Sequence, residues 1–329
     1  MMFHLTADAG DLFNLLPFHY IFKEVSVMTV PHKQKTPTSQ KKDNIWAFIM
    51  LSPFMLFFVL FVLYPLFKNL YYSFTNYNLG NKADFIGFNN YIQLFQDYWF
   101  LDALKNTAIY AVFSVFFLTV LGLFISVLLN NRSRFVKAAR MAMIFPYATS
   151  TVAVSMIWLY LLDPTIGVIN KLLIQTGINT PPHWLDNPVL ALPSLIFINI
   201  WKNLGYCMII YLAGLQNIPQ ELYEAAMIDG AGFLQKHRHI TLPQIAPVTF
   251  FVLVNNCIEA FKTFEQVQIM TQGGPITATT TVVHQIYQRA FNDFRMGYAA
   301  AMSVVLFLII LIVTLFNFRM FKDSANGTN

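Results

Sequence analysis

Six stretches of this chain, at residues 45–67, 107–129, 141–162, 190–212, 245–270 and 297–318, are each long and apolar enough to cross a lipid bilayer as a helix. About 20 mostly apolar residues suffice, and helix is what such a segment must form, because hydrocarbon offers no partner to a free N–H or C=O. The fold class that follows is all-α: a polytopic membrane protein with a six-span region at 45–322, preceded by a tail at 1–44 and followed by a short tail at 323–329. Composition agrees with this. Of the 329 residues 56% are hydrophobic and 11% are charged, where a soluble domain carries about 25% charged residues, so the chain lacks the polar side chains to cover a water-facing globule. Pro53, Pro65, Pro146 and Pro193 fall near span ends or in first turns, where a missing N–H costs little.

The charges orient these spans, since loops rich in Lys and Arg stay in the cytoplasm. Thirteen lie on one side: Lys23, Lys33, Lys35, Lys41 and Lys42 in the tail, Arg132, Arg134, Lys137 and Arg140 in the second loop, Lys236 and Arg238 in the fourth, and Arg319 and Lys322 at the end. The alternate loops hold six, namely Lys68, Lys82, Lys105, Lys171, Arg289 and Arg295. Both termini are therefore predicted to be cytoplasmic. A net charge of +5 scattered in this way forms no basic stripe and excludes a nucleic-acid binder. The opening 31 residues carry an apolar patch at 12–22, interrupted by Pro17 and His19 and preceded by Asp8 and Asp11, which is not the pattern of a signal peptide. Translation from Met1 and from Met28 are both compatible with the sequence. Cys207 and Cys257 stand in apolar segments without metal or disulfide spacing and read as small apolar side chains. The outward loop at 71–104 is rich in Tyr, Phe, Asn and Asp and predicts a short amphipathic cap able to meet a partner.

The fourth loop, at 214–247, carries the most specific pattern. Pro219 is predicted to sit in the first turn of a helix whose early Glu221 and Glu224 face the positive end of its dipole. Ala225 and Ala226 favour helix and leave a low surface, Gly230 permits a reversal, and Pro243 and Pro247 open the next span. The segment predicts a short helix, a turn and a second short helix along the cytoplasmic face. At the far end of the fifth span stands Thr271-Gln272-Gly273-Gly274-Pro275, whose glycines and proline enforce a turn.

The run Glu224-Ala225-Ala226, then Gly230 and Ile240-Thr241-Leu242-Pro243, resembles the coupling loop of permease subunits of binding-protein-dependent ABC importers. With the Thr271 to Pro275 turn at this spacing, residues from 45 onward resemble the first-type permease of the maltose-like sugar importers. The resemblance implies a six-helix type I importer core in a bacterial cytoplasmic (inner) membrane, with a coupling helix that docks on a cytoplasmic ATPase. Glu224, Ala225, Ala226 and Gly230 would form that docking surface. His237 departs from the large aromatic or apolar residue usual in such loops. The implied partners are a second, different permease, two ATPase copies and an external solute-binding protein. The chain has no GxxxxGK[ST] sequence with which to cradle phosphates, so ATP and Mg would be bound by the ATPase partners and this chain would hold neither cofactor nor metal nor catalytic residue.

Polar residues at membrane depth, costly in lipid, mark a cavity. In the fourth span Asn199, Lys202, Asn203 and Tyr206 recur at helical spacing, and in the fifth Asn256, Glu259 or Ala260, and Thr263 share a stripe. Amides for hydroxyls and flat rings of Trp201 and Tyr206 for sugar faces suit a carbohydrate. By resemblance to maltose-type permeases the substrate positions are Asn199, Lys202, Asn203, Tyr206, Asn256 and Thr263. Ala260 and Thr263 replace amides of that pattern and Lys202 replaces an apolar residue. The cation suggests a carboxylate-bearing oligosaccharide such as alginate, with a neutral sugar or glycerol phosphate as alternatives. An ion-coupled secondary transporter using Glu259, Lys262 and Glu265 is the rival class, and it leaves the 214–247 loop unexplained. No HExxH or Ser/His/Asp pattern supports an intramembrane enzyme.

Overall fold

A computed structural model of the chain describes residues 37–326 apart from Asn81 and Arg132; the apolar patch at 12–22 and Met28 lie outside them. The chain divides into two compact units, Met1–Pro65 and Leu66–Asn329. The first is described by helix α1, which runs through Pro37–Phe58 and a π-helical turn at Val59–Leu63; α1 supplies the first part of a helical stretch, Phe48–Ser73, that is long and apolar enough to span a bilayer. The second unit carries everything that follows. Its elements are helical, and among the described residues the only β-pairing is a single bridge, Thr75 to Phe85.

That bridge belongs to the predicted cap. Asn90, in the short helix α2 (Asn89–Leu94), donates to the carbonyls of Ser73 at 2.9 Å and Thr75 at 2.8 Å, and Phe74 packs against Phe85, Phe88 and Tyr91. Helix α3 (Tyr98–Leu128) starts at Asp97, whose carboxylate caps the Trp99 N–H at 3.0 Å. It buries Phe100, Ala103, Thr107, Tyr110, Ser114, Leu118, Gly122 and Ser126 at three- and four-residue intervals and exposes Leu101, Val112, Phe116, Val120 and Phe124. A helix with one polar-and-small seam and one wholly apolar face is built to pack on protein and to face lipid.

Helix α7 (Ala191–Gln216), which follows the short helix α6 (Val168–Gln175), fills that seam and is the hub of the unit, and the two contacts around it are set by glycines. A Cβ on Gly122 would come within 2.8 Å of the Cys207 Cβ, and one on Gly205 would overlap the carbonyl oxygen of Met143, in helix α4 (Arg134–Ala148). Close approach of this kind lets main chains meet without an intervening side chain. Two apolar cores result. One joins α3, α7 and the last long helix, α12 (Met296–Asn326), through Tyr110, Leu195, Ile198, Ala301 and Met302; the other joins α3 and α7 to the fifth span through Leu118, Cys207, Tyr211, Ile245 and Val252.

Three local departures from the predicted spans matter for the site. The third stretch is two helices, α4 and α5 (Thr151–Leu161), bent by 99° at the break. Hydroxyl-bearing residues follow one another there, and they compete for backbone groups: the Thr149 side chain and N–H both turn back to the Pro146 carbonyl, at 2.6 and 3.4 Å. Counting that pair as one span gives six candidate spans, and five single helices otherwise.

The fourth loop differs too. Helix α8 (Gln220–Ile228) forms as predicted, with Pro219 at its cap rather than inside its first turn. Gly230 then closes it with φ +75°: the Gly230 N–H donates to the Met227 carbonyl and the Ala231 N–H to that of Ala226. This is a left-handed cap that a Cβ would strain. The expected second short helix is instead the start of one continuous helix, α9 (Phe233–Phe261). Its widened turn at His237–Thr241 lets Leu242 donate five residues back, to His237, so the helix runs on past Pro243.

Finally, the predicted fifth span, 245–270, breaks where α9 ends at Phe261, and a short helix, α10 (Glu265–Met270), resumes after three residues. The Thr263 carbonyl released by this break accepts from the Thr281 hydroxyl at 3.0 Å. The Thr271 to Pro275 turn comes next. Its glycine-rich loop is held by Thr279 and lies over His284, in helix α11 (Val282–Tyr287). Burial without a charged partner pushes the His284 imidazole below its usual pKa, so it stays neutral between Thr280 and Gln288.

Candidate functional site

The face of α7 bearing Asn199, Lys202, Asn203 and Tyr206 opens onto a cavity of about 740 Å³, and the breaks in its neighbours shape the other walls. Because residues 199, 202, 203 and 206 lie three or four apart, one side of the helix carries all four. Trp201 points elsewhere: it is not in the lining and sits edge-on to Trp158, ring centres 5.4 Å apart. Helix α9 contributes Asn255, Asn256, Glu259 and Ala260, and its broken end contributes Lys262, Thr263 and Phe264. The structure thus brings all six sequence-predicted substrate positions, Asn199, Lys202, Asn203, Tyr206, Asn256 and Thr263, to one cavity.

These groups are not equally free. The Asn203 amide donates to the Asn199 side-chain oxygen at 2.8 Å and to its carbonyl at 3.0 Å, which orients the pair and leaves the Asn203 oxygen and the Asn199 amide hydrogens for a ligand. Asn256 is 6% exposed and its Nδ2 lies 3.2 Å from the Cys207 Sγ, a weak partner for an amide. Lys262 is paired with Glu259 at 3.1 Å, near the mouth, where both side chains are more than half exposed. Lys202 is different: among the described residues no carboxylate reaches ion-pairing distance, and its ammonium stands 5.6 Å from the centre of the Tyr147 ring. Glu265 lines the same cavity.

Sequence reasoning missed the third wall. Tyr147, Thr151 and Ser155 line the cavity from α4 and α5, and Gln266 lines it from α10. Tyr147 stacks on Tyr206 with centres 4.9 Å apart and planes 23° from parallel. Gln266 is held in place, accepting from the Tyr110 hydroxyl at 3.0 Å and donating to the Leu195 carbonyl at 2.8 Å. The signal was present: positions 147, 151 and 155 recur every four residues and, with Thr149 and Ser150, interrupt an apolar stretch. A single straight span, which hydropathy predicts for this stretch, hides the turn that aims them inward.

The residues singled out in the fourth loop lie away from this cavity. Glu224, Ala225 and Gly230 are exposed, Ala226 is half-buried, and α8 buries no residue of its own. Its side-chain hydrogen bond to the rest of the unit runs from Tyr223 to Thr241, at 2.9 Å. Leu222, Met227, Ile228, Phe233 and Leu234 are exposed on the same loop.

A helical membrane protein with a polar cavity between broken spans and an exposed helical loop at one end has the form of a transporter permease. Residues 118–322 match the family of the binding-protein-dependent transport system inner membrane component, and the chain belongs to it. It is 38% identical over 291 residues to the probable ABC transporter permease protein YesP of Bacillus subtilis (strain 168), covering 87% of this chain and 93% of that protein. It is 33% identical over 280 residues to the sn-glycerol-3-phosphate transport system permease protein UgpA of Escherichia coli (strain UTI89 / UPEC), covering 84% and 94%. Among solved structures it is similar to a bacterial ABC transporter involved in the import of the acidic polysaccharide alginate, with a TM-score of 0.77 and 28% identity over 86% of this chain and 96% of that one. The same kind of transporter in complex with an alginate pentasaccharide-bound periplasmic protein matches with a TM-score of 0.76.

Proposed function

We propose that this chain pairs with a second, different permease to form the translocation path of an ATP-driven importer for an acidic oligosaccharide, alginate being the best example. A periplasmic or extracellular binding protein delivers the sugar. Two ATPase copies bind ATP and Mg and close on one another, and the loop around Glu224, Ala225, Ala226 and Gly230 passes that motion to α9. Both termini face the cytoplasm, and the chain performs no chemistry of its own.

The observation that carries the choice of cargo is Lys202. A cation at membrane depth that no carboxylate among the described residues reaches at ion-pairing distance is expensive unless a ligand completes it, and a sugar carboxylate forms a charge-assisted hydrogen bond with it. Around it stand the Asn199 and Asn203 amides and the Tyr206 ring, groups that serve hydroxyls and sugar faces. Two of the similar transporters, those for alginate and for sn-glycerol-3-phosphate, carry anions. The cavity volume of about 740 Å³ is in the upper part of the range of roughly 300–1,000 Å³ for small-molecule sites, more room than a three-carbon phosphate requires.

The test is uptake into proteoliposomes holding the complete importer with its binding protein. An alginate trisaccharide is compared with its carboxyl-reduced counterpart, for the natural chain and for Lys202→Met. The natural chain is expected to prefer the acid and the variant to lose that preference by about tenfold, the worth of one charge-assisted bond of about 1.5 kcal/mol. Equal preference in both would remove the acidic-cargo reading.

A further inference from the structure

The cavity's cation is held by an aromatic ring from a different helix, and the arrangement has a structural cause. Gly205 lets the main chain of α7 touch that of α4 at Met143 and Ile144. One turn beyond Met143 on α4 is Tyr147; beside Gly205 on α7 are Lys202, three residues before, and Tyr206, one after. The glycine contact therefore fixes the Tyr147 ring against both: stacked on Tyr206 at 4.9 Å and under the Lys202 ammonium at 5.6 Å. Tyr147 is the second-to-last residue of α4, where the 99° break leaves helix-end carbonyls that favour a nearby positive charge. It is 41% exposed, so the ring is open to whatever fills the cavity.

We infer that Tyr147 is a specificity-determining positioning residue: its ring parks the Lys202 ammonium at the cavity wall, aimed for a substrate carboxylate. A lysine stem is flexible and its ammonium strongly hydrated, so an unheld Lys202 would spread over many rotamers and be less available to a single anion. A ring face attracts the ammonium, yet more weakly than a carboxylate does, which orders the cation without neutralising it. Glu265, in the same cavity, attracts Lys202 from beyond ion-pairing distance, while the Tyr147 ring stands 5.6 Å from the ammonium. This inference rests on the acidic-cargo reading and adds the residue that makes the cation usable.

The experiment uses the complete importer in proteoliposomes with the same two probes, the alginate trisaccharide and its carboxyl-reduced form. Position 147 carries Tyr, Phe, or Phe with one, two or three ring fluorines, a series that keeps shape while draining negative charge from the ring face. The preference for the acid is expected to stay within about twofold for Tyr147→Phe and to fall stepwise with fluorination, to about fivefold below the natural chain. In a Lys202→Met background the same series is expected to be flat. A flat series in the natural background, with Lys202→Met alone abolishing the preference, overturns the role of Tyr147 and leaves the acidic-cargo reading standing. A preference that survives Lys202→Met overturns both. An equal fall in both backgrounds would make Tyr147 a packing residue only and overturns the inference.

Discussion

Gly205→Ala sets two magnitudes against each other. Alanine is favoured over glycine in a helix by about 1 kcal/mol, and α7 is helical throughout at this position, so an exposed substitution would stabilise. Here the new Cβ would overlap the Met143 carbonyl oxygen, lie 2.6 Å from its carbon and 3.0 Å from the Ile144 Cα. Carbon atoms rest at about 3.5–4.0 Å, so the two helices must part by about 1 Å. The obstructing atoms are main chain and cannot rotate away, which places the penalty at the upper end of the roughly 1–3 kcal/mol of overpacking. The net expectation is a loss of about 2 kcal/mol, a drop of several degrees in the melting midpoint of the detergent-purified importer complex. A 1 Å parting also lifts Tyr147 from Tyr206 and Lys202, so the preference for the acidic trisaccharide should fall with the stability. A Gly205→Ala complex that melts at or above the natural temperature would refute the close-contact reasoning.

Other outcomes follow from individual contacts. Gly230→Ala introduces a Cβ into open space at φ +75°, so only the backbone is strained, by about 1 kcal/mol; ATP hydrolysis stimulated by loaded binding protein should become partly uncoupled from uptake, and Gly230→Asn should restore much of it. Because His284 is buried neutral, the unfolded chain binds more protons than the folded one once the pH falls below about 6.5. Stability should therefore be level above that value and decline beneath it, in melting curves taken from pH 8 to 5, and His284→Gln should flatten the decline. Lys202→Met and the ring series at position 147 give the selectivity outcomes already described.

The helical class was legible because lipid leaves the backbone no alternative, and the α7 face was legible because a 3.6-residue period cannot hide four polar residues in an apolar span. The breaks were less legible. A span is recognised by its summed hydropathy, and neither Thr149 and Ser150 nor the residues around Thr263 lower that sum enough to interrupt it. At the first break Thr149 turns back to the Pro146 carbonyl three residues before it, and at the second the freed Thr263 carbonyl is taken up by Thr281, eighteen residues on. Tyr147 escaped notice for the same reason, since its place in the cavity follows from the bend. Trp201 does not share the sugar face: it lies about 160° around the helix from Asn203 and packs on Trp158. In the fourth loop Pro243 suggested a helix start, and the widened turn before it lets one helix continue instead.

The proposed coupling requires the loop carrying Glu224 and Gly230 to be gripped by the ATPase on the cytoplasmic side. Ala225→Cys places a thiol on its exposed face, and the unaltered chain, with Cys207 buried and Cys257 half-buried, serves as the control. In the assembled importer a short bifunctional thiol reagent should join position 225 to an ATPase subunit, with a yield that changes when ATP is added, while a membrane-impermeant reagent applied outside intact cells should leave it unlabelled. Labelling from outside, or no cross-link to an ATPase in any nucleotide state, would contradict it.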